Sequence, residues 1–249
     1  MQFNVKGTVL PVLEVTLAAQ ESFISTHGEL GWMTTNVQVS QGTGTASGKG
    51  FMKSVKRVAG GGGLFITHYE ALSDPAIVVL TTKLPGNIIS LNITPGKGFY
   101  VHRHGFLAGS ESIDVSMTAQ QKLGSGLFGG TGFFMQRLEG EGQAWLELGG
   151  EMFTYALAPG QTIRVHPGHV GAFEDTVSFN ISTIPGIANK FLSGNGLWLC
   201  DLTGPGEIWL QSMDIATLAH SIEPYLSQQG GGNATAGVLG GVLGAALRS

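Results

Sequence analysis

The stretch Gly130–Leu146, GTGFFMQRLEGEGQAWL, recurs in the same chain as Gly194–Leu210, GNGLWLCDLTGPGEIWL. The two copies align without a gap, and the matched positions include large side chains, such as Trp145 and Trp209, as well as glycines. With 40 glycines among 249 residues, glycines alone would match by chance, but aromatic residues and leucines in one register would rarely do so. A looser third copy, GGGLFITHYEALSDPAIVV, begins at Gly61, so the sequence predicts an internal repeat.

A second phrase also occurs three times and alternates with the first. It is FISTHGELGW from Phe23, YVHRHGFLAG from Tyr100 and IRVHPGHVGAF from Ile163. The alternation predicts three modules, followed by a helix and a tail rich in glycine and alanine. We expect module 1 at 1–80 with an insertion near 40–50, module 2 at 81–149, module 3 at 150–211, the helix at 212–227 and the tail at 228–249. Because a single module would leave a sheet half covered, we expect the three to pack as one compact domain with approximate threefold symmetry.

The modules have the features of β-strands and tight turns. In QTIRVH, Ile163 and Val165 alternate with polar residues, as on a half-buried strand. Pro-Gly pairs mark turns, and Glu139–Gly142 and Thr203–Gly206 are expected to be hairpin loops. The strongest helical pattern is Asp214–Leu226, where apolar residues recur every three or four positions. The sequence therefore predicts an all-β protein with a short C-terminal helix.

Composition and charge argue against several functional classes. Charged residues make up only 12% of the chain, the net charge is −4, and no Lys/Arg cluster is larger than Lys53, Lys56 and Arg57, so we expect no nucleic-acid binding. The single cysteine, Cys200, excludes an internal disulfide, and its apolar neighbours predict a buried, unreactive thiol. The N-terminus lacks the features of a signal peptide, and no apolar run reaches the roughly 18 residues of a membrane span. These features predict a cytoplasmic protein.

Four histidines are the candidate ligand-binding residues. His102 and His104 alternate on a predicted strand and share one face, and His166 and His169 lie in the matching block of module 3. Such imidazoles can bind a metal or a small ligand, and related modules could bring them close to a common axis. The alternative is that they form hydrogen bonds beside a turn, since no acidic residue stands at matched positions to complete a metal site. We therefore assign no catalytic residue, no cofactor and no metal ligand, and keep the four histidines as ligand candidates.

Two further features bear on packing and partners. Trp145, Trp198 and Trp209 are expected to anchor the core or the contacts between modules, because aromatic side chains bury large areas. The tail contains G-x-x-x-G spacings, such as Gly237 to Gly241, which are typical of closely packed helices. Its apolar part is too short to cross a bilayer. The tail is therefore either a flexible end or a segment that docks on a membrane, a protein partner or another subunit.

The order and spacing of the blocks resemble the family named for altered inheritance of mitochondria in fungi. The residues that carry the likeness are GGGLFITHYEA, LPGNIISLNI, GFYVHRHGFLAG, GTGFFMQRLEGEGQAWLELGG, VHPGHVGAFE and GNGLWLCDLTGPGEIWLQ, and it extends from about Met1 to about Ser227. The resemblance implies three tandem β-sandwich modules in a pseudo-threefold arrangement, each similar to the module of the tryptophan-responsive RNA-binding attenuation protein. Mitochondrial members are tied to inner-membrane organisation, whereas bacterial members have no agreed activity and no catalytic residues to carry over. RNA and tryptophan binding do not follow from the fold alone.

These features favour a non-enzymatic β-repeat scaffold that forms a homo-oligomer and mediates protein assembly or membrane-associated organisation. Peripheral membrane attachment would use the tail. The alternative is a small-ligand or metal-binding module that uses the histidine blocks. An enzyme is the weakest hypothesis, because the sequence contains no convergent acid, base or nucleophile.

Overall fold

The computed structural model describes residues 1–43, 65–121, 133–183 and 198–226, and every strand pairing within them is antiparallel. The strands fall into three groups along the chain. The first group is β1 Gln2–Lys6, β2 Val12–Leu17, β3 Ser22–Thr26, β4 Leu30–Met33, β5 Val37–Thr43, β6 Phe65–Ala71 and β7 Ala76–Thr81. The second group is β8 Gly86–Ile93, β9 Phe99–His102, β10 Phe106–Ser110, β11 Ile113–Gln121, β12 Phe133–Gly140 and β13 Gly142–Gly149. The third group is β14 Met152–Leu157, β15 Thr162–Val165, β16 Val170–Glu174, β17 Ser178–Thr183, β18 Trp198–Thr203 and β19 Gly206–Gln211.

One order of strand pairing recurs in the three groups. β2–β7–β4, β8–β13–β10 and β14–β19–β16 pair alike, and so do β5–β6–β3, β11–β12–β9 and β17–β18–β15. The pairings β3–β10 and β9–β16 join neighbouring groups and create two six-stranded sheets. The other two sheets have four strands, with β1 added beside β2, and three strands. The predicted all-β class is confirmed, whereas a threefold rotation that relates the groups stays a prediction.

The second strand of each histidine-containing block is irregular at the same place. Its pairing register shifts between Leu30 and Trp32 in β4, between Phe106 and Ala108 in β10, and between Val170 and Ala172 in β16. Beyond the shift, Ala108 stands opposite Trp145 and Ala172 stands opposite Trp209. Both indoles are buried. The two tryptophans that the repeat aligns therefore have the same cross-strand neighbour, while the Trp198 side chain lies outside the described residues.

The predicted hairpin loops at Glu139–Gly142 and Thr203–Gly206 are wrong. β12 and β13 lie in different sheets, and so do β18 and β19, so each connection carries the chain from one sheet to the other. Gly140 and Gly142 have φ values of 113° and 134°, which side chains rarely adopt. These dihedrals turn the chain away from its own sheet, and glycine spacing alone does not distinguish such a crossing from a hairpin.

One hydrophobic cluster joins side chains from all three strand groups. Ile24 and Ile66 come from the first group, Leu146 from the second, and Ala172 and Trp209 from the third. Two further clusters centre on the first and third groups, and each includes side chains of the second. Because burial of apolar area is the main stabilising contribution, the loss of one group would uncover the core of its neighbour.

The C-terminal helix, α1, extends over Ile215–Leu226, as the apolar pattern predicts. Asp214 caps its first turn, because its carboxylate accepts bonds from the Thr217 amide at 3.0 Å and from the Thr217 hydroxyl at 2.6 Å. Pro224 lies in the last turn, where it cannot donate to the carbonyl four residues earlier, and the helix ends two residues later. The predicted tail at 228–249 and the predicted insertion, beyond residue 43, lie outside the described residues.

Candidate functional site

A cavity of about 310 Å³ lies where the β9–β10 turn meets the short 3₁₀ turn Pro167–His169 and the start of α1. His102, His104 and His166 line this cavity, which we call the histidine cavity. His169 lies beside it, with its ring centroid 5.7 Å from that of His166. The structure thus places three of the four candidate histidines on one cavity, although they come from two different strand groups.

Two of the histidines use their ring nitrogens to hold the backbone. His102 Nε2 donates to the carbonyl of Glu147 at 3.0 Å, and its Nδ1 accepts from the His104 amide at 3.4 Å. Burial lowers the pKa of His102, in keeping with a neutral ring that donates on one side and accepts on the other. His169 Nδ1 donates to the carbonyl of Gln211 at 2.9 Å. Glu147 and Gln211 occupy the same position in β13 and β19, so the two histidines donate hydrogen bonds to equivalent backbone carbonyls.

The imidazoles of His104 and His166 make no hydrogen bond within the described part of the chain. His104 stands at the mouth of the cavity, where desolvation by the surrounding protein atoms and then the Lys83 charge lower its pKa to about 4. Among the described residues, no group of three or more His, Cys, Asp or Glu could hold a metal ion. The cavity therefore offers a ligand the hydrogen-bonding nitrogens of two imidazoles.

A buried ion triad beside the cavity was not predicted from the sequence. The Lys83 ammonium contacts the carboxylates of Glu29 and Glu147, the latter at 3.0 Å, and the Lys83 amide donates to Glu147 Oε2 at 2.9 Å. Burial raises the pKa of Glu29 even though the ammonium opposes that change. The pKa of Lys83 is also raised, because the two carboxylates outweigh its own burial. The three residues are far apart in sequence, so no local pattern could have indicated this contact between the first and second strand groups.

Cys200 and the loop carboxylates have structural roles. Cys200 is fully buried, and burial, together with the nearby Asp201 charge, raises the pKa of its thiol to about 12. Such a thiol is a poor nucleophile, as the sequence predicts. Asp175 accepts from the Gly98 amide at 3.0 Å and pairs with Arg137 at 3.3 Å, so it ties a loop to neighbouring strands.

Two sheet edges are open where the recurring order would place a partner strand. Within the described residues, β4 pairs on one side only, with β7, whereas β10 and β16 are also covered by β3 and β9. In the same residues β15 pairs only with β18, although its counterparts β3 and β9 pair on both sides. We call the free side of β4 and the free side of β15 the open edges. Each open edge corresponds to one side of the junctions that β3–β10 and β9–β16 form.

Apolar side chains beside the open edges are exposed. Trp32 on β4 is 57% exposed, whereas Ala108 and Ala172 at the same position of β10 and β16 are fully buried. Phe153 and Tyr155 on β14 are 50% and 44% exposed, and they hold the positions of Leu13 and Val15, which are fully buried in β2. Leu30 and Met33 on β4 are also exposed. Part of the exposed apolar surface of the described residues therefore lies on β4 and β14.

Comparisons with known proteins agree with this architecture. A crystal structure of a protein from Streptococcus pyogenes superposes with a TM-score of 0.70 and 23% sequence identity, over 90% of this chain and 99% of that chain. At this identity the likeness concerns the fold alone. No curated protein gives a significant match. In the described ranges, the structure contains no helix with the length and apolarity needed to cross a membrane. The family model for mitochondrial biogenesis AIM24 matches residues 3–213, which is most of the chain, and the protein therefore belongs to that family.

Proposed function

We propose that this protein is a non-enzymatic scaffold that assembles with further copies of itself through the open edges of β4 and β15. The observation that carries the proposal is the uncovered apolar edge of β4, with Trp32 57% exposed. Exposed sheet edges are templates for pairing with another strand, and proteins that do not use them usually cover or charge them. β4 has the sequence LGWM, so it carries Leu30, Trp32 and Met33 and contains no charged residue of its own.

The second copy is the expected occupant because this chain carries both halves of the junction. β15 offers the same edge that β3 and β9 use, and β4 offers the edge that β10 and β16 use. The two existing junctions also fix the register. Ser25 stands opposite Ala108 and Val101 opposite Ala172. By the same register, Val165 of one copy stands opposite Trp32 of the next, and Arg164 stands opposite Met33.

A junction between β15 and β4 is heterologous, because two different edges meet. Repetition of such a contact gives a closed ring or an open filament, depending on the rotation between copies. Full burial of a large apolar side chain such as Leu or Met stabilises an assembly by about 1.5–3 kcal/mol. Burial of Trp32 with its neighbours Leu30 and Met33 would therefore contribute to association, together with the strand hydrogen bonds.

Light scattering during size-exclusion chromatography tests the proposal with three proteins. The natural chain should elute as more than one copy of its 26.0 kDa mass, and the fraction assembled should rise with concentration. Trp32→Glu should elute as a single copy, because a carboxylate on the edge opposes burial. Leu72→Glu is the matched control, since Leu72 is also an exposed apolar residue but lies in the loop between β6 and β7. A natural chain that stays monomeric at all concentrations, or a Trp32→Glu variant that assembles normally, would rule the proposal out.

A further inference from the structure

The wall of the histidine cavity contains Arg103, a cation that has no partner among the described residues. The residue Arg103 is half-buried there, and within the described residues its guanidinium makes no ion pair and no hydrogen bond. A guanidinium keeps its charge at any physiological pH and carries five donors, and burial without acceptors is unfavourable. An anionic group on a ligand would supply the acceptors that the protein does not.

The other charges around the cavity already have partners. The Lys83 ammonium is shared by Glu29 and Glu147, and the Asp214 carboxylate accepts two bonds from Thr217 at the start of α1. These groups are held in place by the fold itself. Arg103 is therefore the charge available to a ligand, with the imidazoles of His104 and His166 as further hydrogen-bonding groups.

The rest of the wall is largely apolar and the space is small. Leu84, Phe134, Leu148, Val170 and Ile215 line it, and Leu148 and Val170 are buried. The volume of about 310 Å³ lies at the lower end of the range for ligand pockets, about 300–1,000 Å³. A fitting ligand is small, has an apolar body and carries its charge at one end.

We propose that the histidine cavity binds a small amphiphilic carboxylate. The carboxylate lies on the Arg103 guanidinium, which can hold both oxygens through two parallel N–H bonds. The hydrocarbon body packs against Leu84, Leu148 and Val170. This site does not depend on assembly through the open edges, which lie on β4 and β15.

Isothermal titration calorimetry of the full chain with octanoate and with octanamide tests whether the negative charge of the ligand contributes to binding. The two probes share one hydrocarbon body and differ in the anionic group. Octanoate should bind about tenfold or more tightly than octanamide, because a hydrogen-bonded charge contributes more than a neutral group of the same shape. Equal affinity for the two probes, or no binding of octanoate at millimolar concentration, would overturn the proposal.

Two variants test the contribution of the Arg103 charge and that of the cavity space separately. Arg103→Met keeps an unbranched side chain but removes the charge, so octanoate should bind no better than octanamide. Arg164→Met is the control, because Arg164 pairs with Asp201 on β18 and does not line the cavity. Leu84→Trp should weaken both probes by filling the space. Octanoate affinity unchanged by Arg103→Met would contradict the assigned contact, and affinity unchanged by Leu84→Trp would contradict the assigned cavity.

Discussion

Replacement of Lys83 by methionine should destabilise the fold by about 3 kcal/mol near neutral pH. The Lys83 ammonium contacts the carboxylates of Glu29 and Glu147, whose side chains are only 4% and 9% exposed. Removal of one partner from a buried ion pair typically costs about 3–5 kcal/mol, because the remaining charge is left uncompensated. We take the lower end of this range because 36% of the Lys83 side chain is exposed, so solvent screens part of the interaction.

The stability lost in Lys83→Met should depend on pH, and the direction of this dependence follows from the pKa of Glu29. Burial raises the pKa of Glu29 above its ordinary value of 4.5. A carboxyl group whose pKa rises on folding stabilises the fold fully at a pH below its pKa in the unfolded chain. This contribution is lost as the pH rises through its pKa in the folded chain. Without Lys83 the pKa of Glu29 should rise further, because the opposing ammonium is gone. The deficit of Lys83→Met should therefore be largest near pH 7.5 and shrink as the pH falls towards about 5.

Urea unfolding of the natural chain and of Lys83→Met at the two pH values measures this deficit. Lys6→Met is the control, because Lys6 also pairs with a carboxylate, that of Glu14, but is mostly exposed, so its removal should cost less than about 1 kcal/mol. A second replacement, Glu147→Gln, should restore part of the stability that Lys83→Met loses. A deficit below about 1 kcal/mol, or one that does not change between the two pH values, would refute the interpretation of the triad.

Three further predictions concern the core, the thiol and the tail. Trp145→Ala should lower the free energy of unfolding by about 3–5 kcal/mol, because it leaves a cavity in the core. Trp32→Ala in dilute solution should lower it by less than about 1 kcal/mol. Equal losses in urea titrations would contradict the burial of Trp145 and the exposure of Trp32. Cys200 should react with a thiol reagent at pH 8 only as fast as the chain unfolds, since its pKa is raised to about 12, and a fast reaction of the folded chain would show that the thiol is accessible. Deletion of 230–249 should leave the number of assembled copies unchanged, because the proposed contact lies on β4 and β15; a smaller assembly in light scattering would assign the contact to the tail instead.

The strands were predictable from the sequence because their signals are local. Alternation of apolar residues marks strands such as β15, and the spacing of glycines and tryptophans marks the recurring blocks. The alignment of Trp145 with Trp209 corresponds to a shared cross-strand neighbour, Ala108 in one case and Ala172 in the other. Local patterns of this kind carry information about which residues share a face and which positions are equivalent.

The pairing of strands and the composition of the site were not predictable in the same way. The turn at Gly140–Gly142 has the sequence of a hairpin loop, yet the chain there passes between sheets, because pairing is decided by distant strands. The triad of Lys83, Glu29 and Glu147 joins residues that no window of sequence contains. Arg103 stands between two candidate histidines, but its lack of a partner among the described residues becomes visible only when the cavity around it is known.

Disulfide trapping between copies tests the proposed β15–β4 junction most directly. In a Cys200→Ala background, Met33→Cys and Arg164→Cys are made in separate chains, mixed and oxidised, since these positions should stand opposite each other across the β15–β4 contact. Disulfides form only when the two Cα atoms approach within about 7 Å. The proposal predicts a linked dimer in the mixture and far less from either variant alone. A disulfide that forms within one chain carrying both cysteines, with no linked dimer in the mixture, would contradict assembly through the open edges.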